Sequence, residues 1–203
     1  LKDVTLKQLQ EVLSKNPAND RHNKRVLSAF YGWCVKNKIL KENICVHLET
    51  ISKPQEQTED DVWNVDQVLR VYKQLTFKNL YDIFIVLGVE LGLRPQEICG
   101  LKWDDIKDGY IAIEEAVIER SPNGFKLGDP KAKSVRYLVL TPFVSQCLKR
   151  HRKKQENLIE KTLDYINNNL VVADKKGLVP CRRYIRRYMH KVADRAGVPK
   201  IPP

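Results

Sequence analysis

The chain has 203 residues, 42% of them hydrophobic, and carries 36 Lys and Arg against 25 Asp and Glu, for a formal net charge of +11. That length holds one large domain or two small ones, and the apolar content excludes a disordered polymer. No apolar run reaches the roughly 18 to 20 residues that span a bilayer, since the longest, 83–93, is interrupted by Glu90. The chain begins at Leu1, a start expected not to be native, and shows no signal-peptide pattern.

In chain order, 5–13 reads as a helix with Thr5 and Gln8 as a capping box. Residues 20–36 form a second helix, with Val26, Leu27, Phe30, Trp33 and Cys34 as its apolar stripe and Arg21, Lys24, Arg25 and Lys36 on the other face. A short helix is expected near 43–48. Segment 52–61 mixes Pro54 with Gln, Glu and Asp, has no hydrophobic period and reads as a linker. The predicted division is a helical domain over 1–51, the linker, and a second domain over 62–203. In that second domain 65–75 is amphipathic and 79–91 is apolar enough for a core helix. Gly92 breaks the pattern and Pro95 suits the first turn of the next helix. Residues 110–113, 116–119 and 135–140 read as three short strands, and 121–130 as too polar for a strand interior. Thr141 and Pro142 open a helix that runs into 149–154. A strand is expected at 170–173, and a helix over 180–195 that Gly197 ends.

Charge is unevenly spread: residues 1–57 carry a net +4, 58–130 a net −6 and 131–203 a net +13. Concentrated positive charge favours a polyanion, because each neutralised phosphate releases condensed counterions. Cys34, Cys45, Cys99, Cys147 and Cys181 include no CxxC, and His22, His47, His151 and His190 show no ligand spacing. No metal site is expected, and buried thiols in a reducing cytoplasm are. Phe30, Trp33, Phe84 and Trp103 fit core positions better than base-stacking platforms.

The segment around Arg94 is the most informative. Arg94 follows an apolar helix and opens a new one, where backbone N–H groups favour anions. Glu97, three residues on, shares its face and can hold the guanidinium in one orientation, which would preorganise a fork donor for a phosphate. An ion pair that only pins two helices together is an equal reading of those two residues alone.

The run Gly92-Leu-Arg94-x-x-Glu97-x-x-x-Leu101-x-Trp103-x-Asp105-Ile106 resembles the first arginine box of the tyrosine recombinase, or phage integrase, family. The resemblance extends over most of the chain, down to Arg195-Ala-Gly197-Val-Pro, which in the family leads into a His-x-x-Arg box. It implies a mainly α fold with a small antiparallel three-stranded sheet, in two domains: a helical core-type DNA-binding domain at 1–51 and an α+β integrase-type catalytic domain at 62–203. The catalytic domain is expected to be truncated before its His-x-x-Arg and tyrosine segment, and none of Tyr165, Tyr184 and Tyr188 stands in the nucleophile's place. The implied reaction is attack of a tyrosine on a DNA phosphodiester, giving a 3′-phosphotyrosyl link that a strand end from a second duplex reverses. The link conserves the phosphoryl energy, so no ATP, metal or other cofactor is implied. Arg94 maps to an arginine that stabilises the phosphorane, and Glu97 to its acidic support.

The same resemblance makes Lys131, on the turn before Arg136, the residue that protonates the 5′-hydroxyl leaving group, with Lys133 the alternative and otherwise a DNA contact. The run 149–154 reads as a solvated cationic face. By contrast, Arg182, Arg183, Arg186, Arg187 and Lys191 segregate from an apolar side of Cys181, Ile185, Tyr188, Met189 and Val192, as backbone docking to DNA requires. Arg21, Lys24 and Arg25 are a weaker case of the same kind. The expected partners are double-stranded DNA and other recombinase protomers in a synaptic complex, with no membrane. The expected setting is the cytoplasm of a bacterium, in a protein of a phage or other mobile element that integrates or excises DNA. Two rival readings are a DNA-binding regulator that kept the fold without cleaving and an unrelated basic helical protein.

Overall fold

The computed structural model describes residues 3–51, 62–121, 124–129 and 135–201. The expected linker at 52–61 and both Lys131 and Lys133 lie outside the described residues. The chain divides into two compact units, Leu1–Gln57 and Thr58–Pro203.

The first unit is helical. Helix α1 (Leu6–Ser14) starts at the predicted capping box: the Gln8 N–H donates to Thr5 Oγ1 at 3.3 Å, and the Thr5 N–H donates to Gln8 Oε1 at 2.9 Å. Helix α2 (Asp20–Lys36) follows, and the expected short helix is a 3-10 turn, Ile44–His47. Leu9, Leu13, Tyr31, Cys45 and Leu48 form the core. Asp20, itself buried, closes the unit by accepting the Ile51 N–H at 2.6 Å.

One expectation for α2 fails. Its buried residues include Tyr31 and Cys34, whereas Val26, Phe30 and Trp33 are 53%, 45% and 55% exposed. The reason is geometric. At about 100° per residue, Leu27, Tyr31 and Cys34 lie on one arc and Val26, Phe30 and Trp33 on the next. The helical spacing is satisfied by either arc, and the unit's core takes only the first. Phe30 and Trp33 are therefore not core residues, while Phe84 is buried and Trp103 half-buried.

The second unit is built around helix α4 (Asp82–Leu91), in which every residue from Asp82 to Leu87 is buried. A helix that is apolar on all sides must be surrounded. Helix α3 (Val65–Gln74), capped by the Asn64–Gln67 box, precedes it. Gly92 ends α4 at φ 60°, in the left-handed region where glycine is least strained. Helix α5 (Pro95–Gly100) turns the chain into strand β1 (Tyr110–Ile113), β2 (Ala116–Ser121), β3 (Gly124–Gly128) and β4 (Arg136–Val139). Helices α6 (Pro142–Lys161) and α7 (Arg182–Ala196) complete the unit.

The predicted three-stranded sheet is replaced by two antiparallel pairs. Strand β1 pairs with β4, with Ile113 opposite Arg136, and β2 pairs with β3, with Val117 opposite Leu127. Strand β3 falls in 121–130, which reads as too polar because of its Ser, Pro, Asn and Gly residues. Within it, however, Phe125 and Leu127 alternate with Lys126 and pack on the core, which is the period of two that a strand requires. The segment 170–173 is wholly buried but belongs to neither strand pair: Leu170 forms an isolated bridge to Lys102, and the Val171 N–H donates to the Leu101 carbonyl at 2.8 Å. Among the described residues no helix is long and apolar enough to cross a membrane.

Candidate active site

Arg94 is the residue before α5, and its backbone is extended, with φ −68° and ψ 148°. The following Pro95 disfavours a helical conformation there. The Arg94 N–H donates to Glu97 Oε2 at 2.8 Å and its Nη1 donates to Oε1 at 3.0 Å. Glu97 is 2% exposed, whereas the Arg94 side chain is 53% exposed. The carboxylate is thus fixed and the guanidinium is presented outward.

A third residue joins them. Arg136, at the start of β4, forks onto the same carboxylate, Nη1 to Oε1 at 3.0 Å and Nη2 to Oε2 at 2.7 Å. Burial alone would raise the Glu97 carboxyl, but hydrogen bonds from the Arg136 side chain and from the backbone and side chain of Arg94 outweigh it and hold the group below the usual carboxylate range. Sequence reasoning passed over Arg136. The available signal was its phase: Arg136 shares a strand face with Leu138 and Leu140, all three half-buried, while Tyr137 and Val139 point outward. A charge on an inward face demands a partner.

Arg94 lines a cleft of about 360 Å³ with Gln96, Cys99, Glu119, Pro180 and Arg182. The cleft brings Arg94 together with the first residue of α7. Along that helix Arg182, Arg183, Arg186, Arg187 and Lys191 are all exposed, while Ile185, Met189 and Val192 are buried. Cys181, expected on its apolar side, is exposed instead, and Tyr188 is half-buried. In the first unit, Arg21, Lys24 and Arg25 line a shallow groove with Ser28, Ala29 and Thr50, and the Lys24 ammonium also donates to the Leu48 carbonyl.

The rest of the arginine box is structural. Leu101 is buried, the Trp103 N–H donates to the Asn169 carbonyl at 2.8 Å, and Asp105 Oδ2 accepts the Lys102 N–H at 2.8 Å. The Trp103 indole donates to Gln155 at 2.7 Å and stacks on His151. His151 is buried, and its Nε2 lies 2.7 Å from the Val171 carbonyl, which can only accept, so that nitrogen carries the proton. Burial lowers its pKa to about 4. The tyrosine hydroxyls are occupied elsewhere: Tyr188 donates to buried Asp82, and Tyr165 accepts from Gln155 at 3.2 Å.

No family model matches the chain. A tyrosine recombinase XerC-like protein of Caldanaerobacter subterraneus subsp. tengcongensis is 25% identical over 193 residues, covering 85% of this chain and 49% of that protein. The Tn1549 transposon integrase, solved with a circular intermediate DNA, superposes with a TM-score of 0.70 at 16% identity, over 95% of this chain and 64% of that one. A lambda integrase, solved as a tetramer bound to a Holliday junction, gives 0.65 at 15% identity, over 98% and 55%. The fold is that of the DNA integrases. The likeness in sequence is to a tyrosine recombinase XerC-like protein, and the likeness in fold is to integrases. The chain spans about half the length of the curated relative it matches.

Proposed function

We propose that this chain is the helical DNA-binding domain and part of the catalytic domain of a site-specific DNA recombinase that works through a 3′-phosphotyrosyl intermediate. The observation that carries this reading is the Arg94–Glu97 pair: a guanidinium held by a buried carboxylate yet open to a cleft that Arg182 also lines. Such a donor is preorganised for charge that develops on a phosphate in transit, and needs little reorganisation as the reaction proceeds. In this reading Lys131 protonates the 5′-oxygen, and the exposed arginines of α7, Lys191 and Lys133, with Arg21, Lys24 and Arg25 of α2, contact the DNA backbone. Double-stranded DNA and further protomers are the partners, as the DNA-bound integrase and the integrase tetramer of similar fold suggest. The attacking tyrosine is supplied by protein outside this chain, in keeping with the engaged hydroxyls of Tyr165 and Tyr188.

The test is a nicked suicide duplex followed by denaturing electrophoresis. The full-length protein should form a covalent band, and Arg94→Ala should reduce it by at least about 10² to 10³ in rate while leaving DNA affinity nearly unchanged. The chain alone should bind the duplex without forming a band. An undiminished band in the Arg94 variant refutes the assignment, and full-length protein that binds without cleaving would favour the regulator. A band from the chain alone that vanishes on mutating Tyr165, Tyr184 or Tyr188 would put the nucleophile within it.

A further inference from the structure

Glu97 accepts four hydrogen bonds: Oε1 from Arg94 Nη1 and Arg136 Nη1, and Oε2 from the Arg94 N–H and Arg136 Nη2. An ionised carboxylate offers about four lone-pair sites, so this one is saturated. The two arginines use it differently. Arg136 is 30% exposed and lays both terminal nitrogens on the carboxylate in a fork, the strongest geometry for this pair. Arg94 commits Nη1, remains 53% exposed and lines the cleft. One carboxylate faces two guanidinium groups, so the cluster keeps one positive charge.

We infer that Arg136 is a positioning residue for the phosphate site: it anchors and neutralises Glu97, so that Arg94 keeps its orientation without losing its charge. In its absence Glu97 and Arg94 would form a neutral pair. An incoming phosphate would then have to compete with a carboxylate 3.0 Å from Arg94 Nη1. Arg136 also ties β4 to α5, thirty-nine residues away in sequence, so the geometry of Arg94 depends on the β1–β4 pair being formed. This inference rests on reading Arg94 as a phosphate ligand.

The probe is inorganic phosphate, titrated into the whole chain and followed by NMR at the backbone amide of position 94, which stays observable in every variant. Arg136→Gln should weaken phosphate binding there about tenfold, the scale of one charge-assisted hydrogen bond of Arg94 drawn from the phosphate to the freed carboxylate. Arg136→Lys, which keeps the charge and loses the fork, should weaken it about threefold. In a Glu97→Gln background, with no carboxylate left to neutralise, Arg136→Gln should cost less than about twofold. An equal loss in both backgrounds would mean that Arg136 touches the phosphate itself, and the positioning role fails. Wild-type affinity in Arg136→Gln or Arg136→Lys, with a native amide spectrum, would make Arg136 a purely structural tie and also overturn it. If Arg136→Gln does not fold, Arg136→Lys decides between those outcomes. Arg94→Gln is the separate control: unchanged phosphate response in that variant sinks the reading of Arg94, whichever way the Arg136 arms fall.

Discussion

Arg94 and Glu97 are adjacent on any helical reading of 94–97, but their division of labour depends on burial. Glu97 is inside and Arg94 is half outside. Lys131 and Lys133 precede Arg136 by five and three positions, and the roles proposed for them are told apart by leaving-group chemistry. In the full-length protein, Lys131→Ala should slow cleavage of an ordinary phosphodiester and be rescued by a 5′-bridging phosphorothiolate, whose sulfur departs without a proton. Lys133→Ala should act as a mild DNA-contact change in both substrates. Rescue of Lys133→Ala in place of Lys131→Ala would exchange the two roles.

At the scale of elements, two glycines bound the site for different reasons. Gly92 needs its left-handed φ, and a Cβ there would meet nothing within 4 Å. Gly100 lies where α5 crosses β2, and a Cβ would stand 3.1 Å from Ala116 Cα and 3.2 Å from Val117 N. These are backbone atoms that cannot turn aside, so Gly100→Ala should cost about 1–3 kcal/mol in urea unfolding, as overpacking does. Gly92→Ala should cost about 1–2 kcal/mol, from backbone strain alone. An unaltered midpoint for Gly100→Ala would mean that α5 and β2 can slide apart. Helix α6 carries a pH term. Neutral His151 has a folded pKa of about 4, below its ordinary value of 6.5, so the unfolded chain takes up the proton first. Its contribution is complete above about pH 6.5 and is lost as pH falls toward 4, with a slope of at most about 1.4 kcal/mol per pH unit. Glu97, held low, adds a second loss at more acid pH. Urea midpoints at pH 7, 6 and 5 should fall in the wild type and flatten in His151→Gln. A slope that survives the substitution assigns the titration to another group.

For the whole molecule, charge distribution is the controlling quantity. The acidic middle of the sequence lies between two basic stretches, and the net +13 of 131–203 includes the exposed arginines of α7. If roughly six to ten phosphates are contacted, affinity for a duplex should fall by about three to five decades between 50 and 200 mM salt. Fluorescence anisotropy across that range is the measurement, and a nearly flat titration would remove DNA from the partners of this chain. Replacing Arg183, Arg186 and Arg187 with Gln should reduce the magnitude of that log–log slope by about 3, one for each lost phosphate contact.

Sequence alone determined the helices, because their evidence is local. The Thr5–Gln8 box, the left-handed glycine after α4, Thr141 before α6 and the basic stripe of α7 are each written within a few residues. It also paired Arg94 with Glu97, which are three residues apart. Tertiary structure decided what depends on distant partners. It put Leu27, Tyr31 and Cys34 of α2 inward and left Val26, Phe30 and Trp33 out, because the small first unit covers one arc of that helix. It paired β1 with β4 and β2 with β3, since strand partners are chosen across the chain by complementary faces and not by neighbourhood. It brought Arg136 onto Glu97, because a charge on the inward face of a strand takes its partner from whatever element packs there.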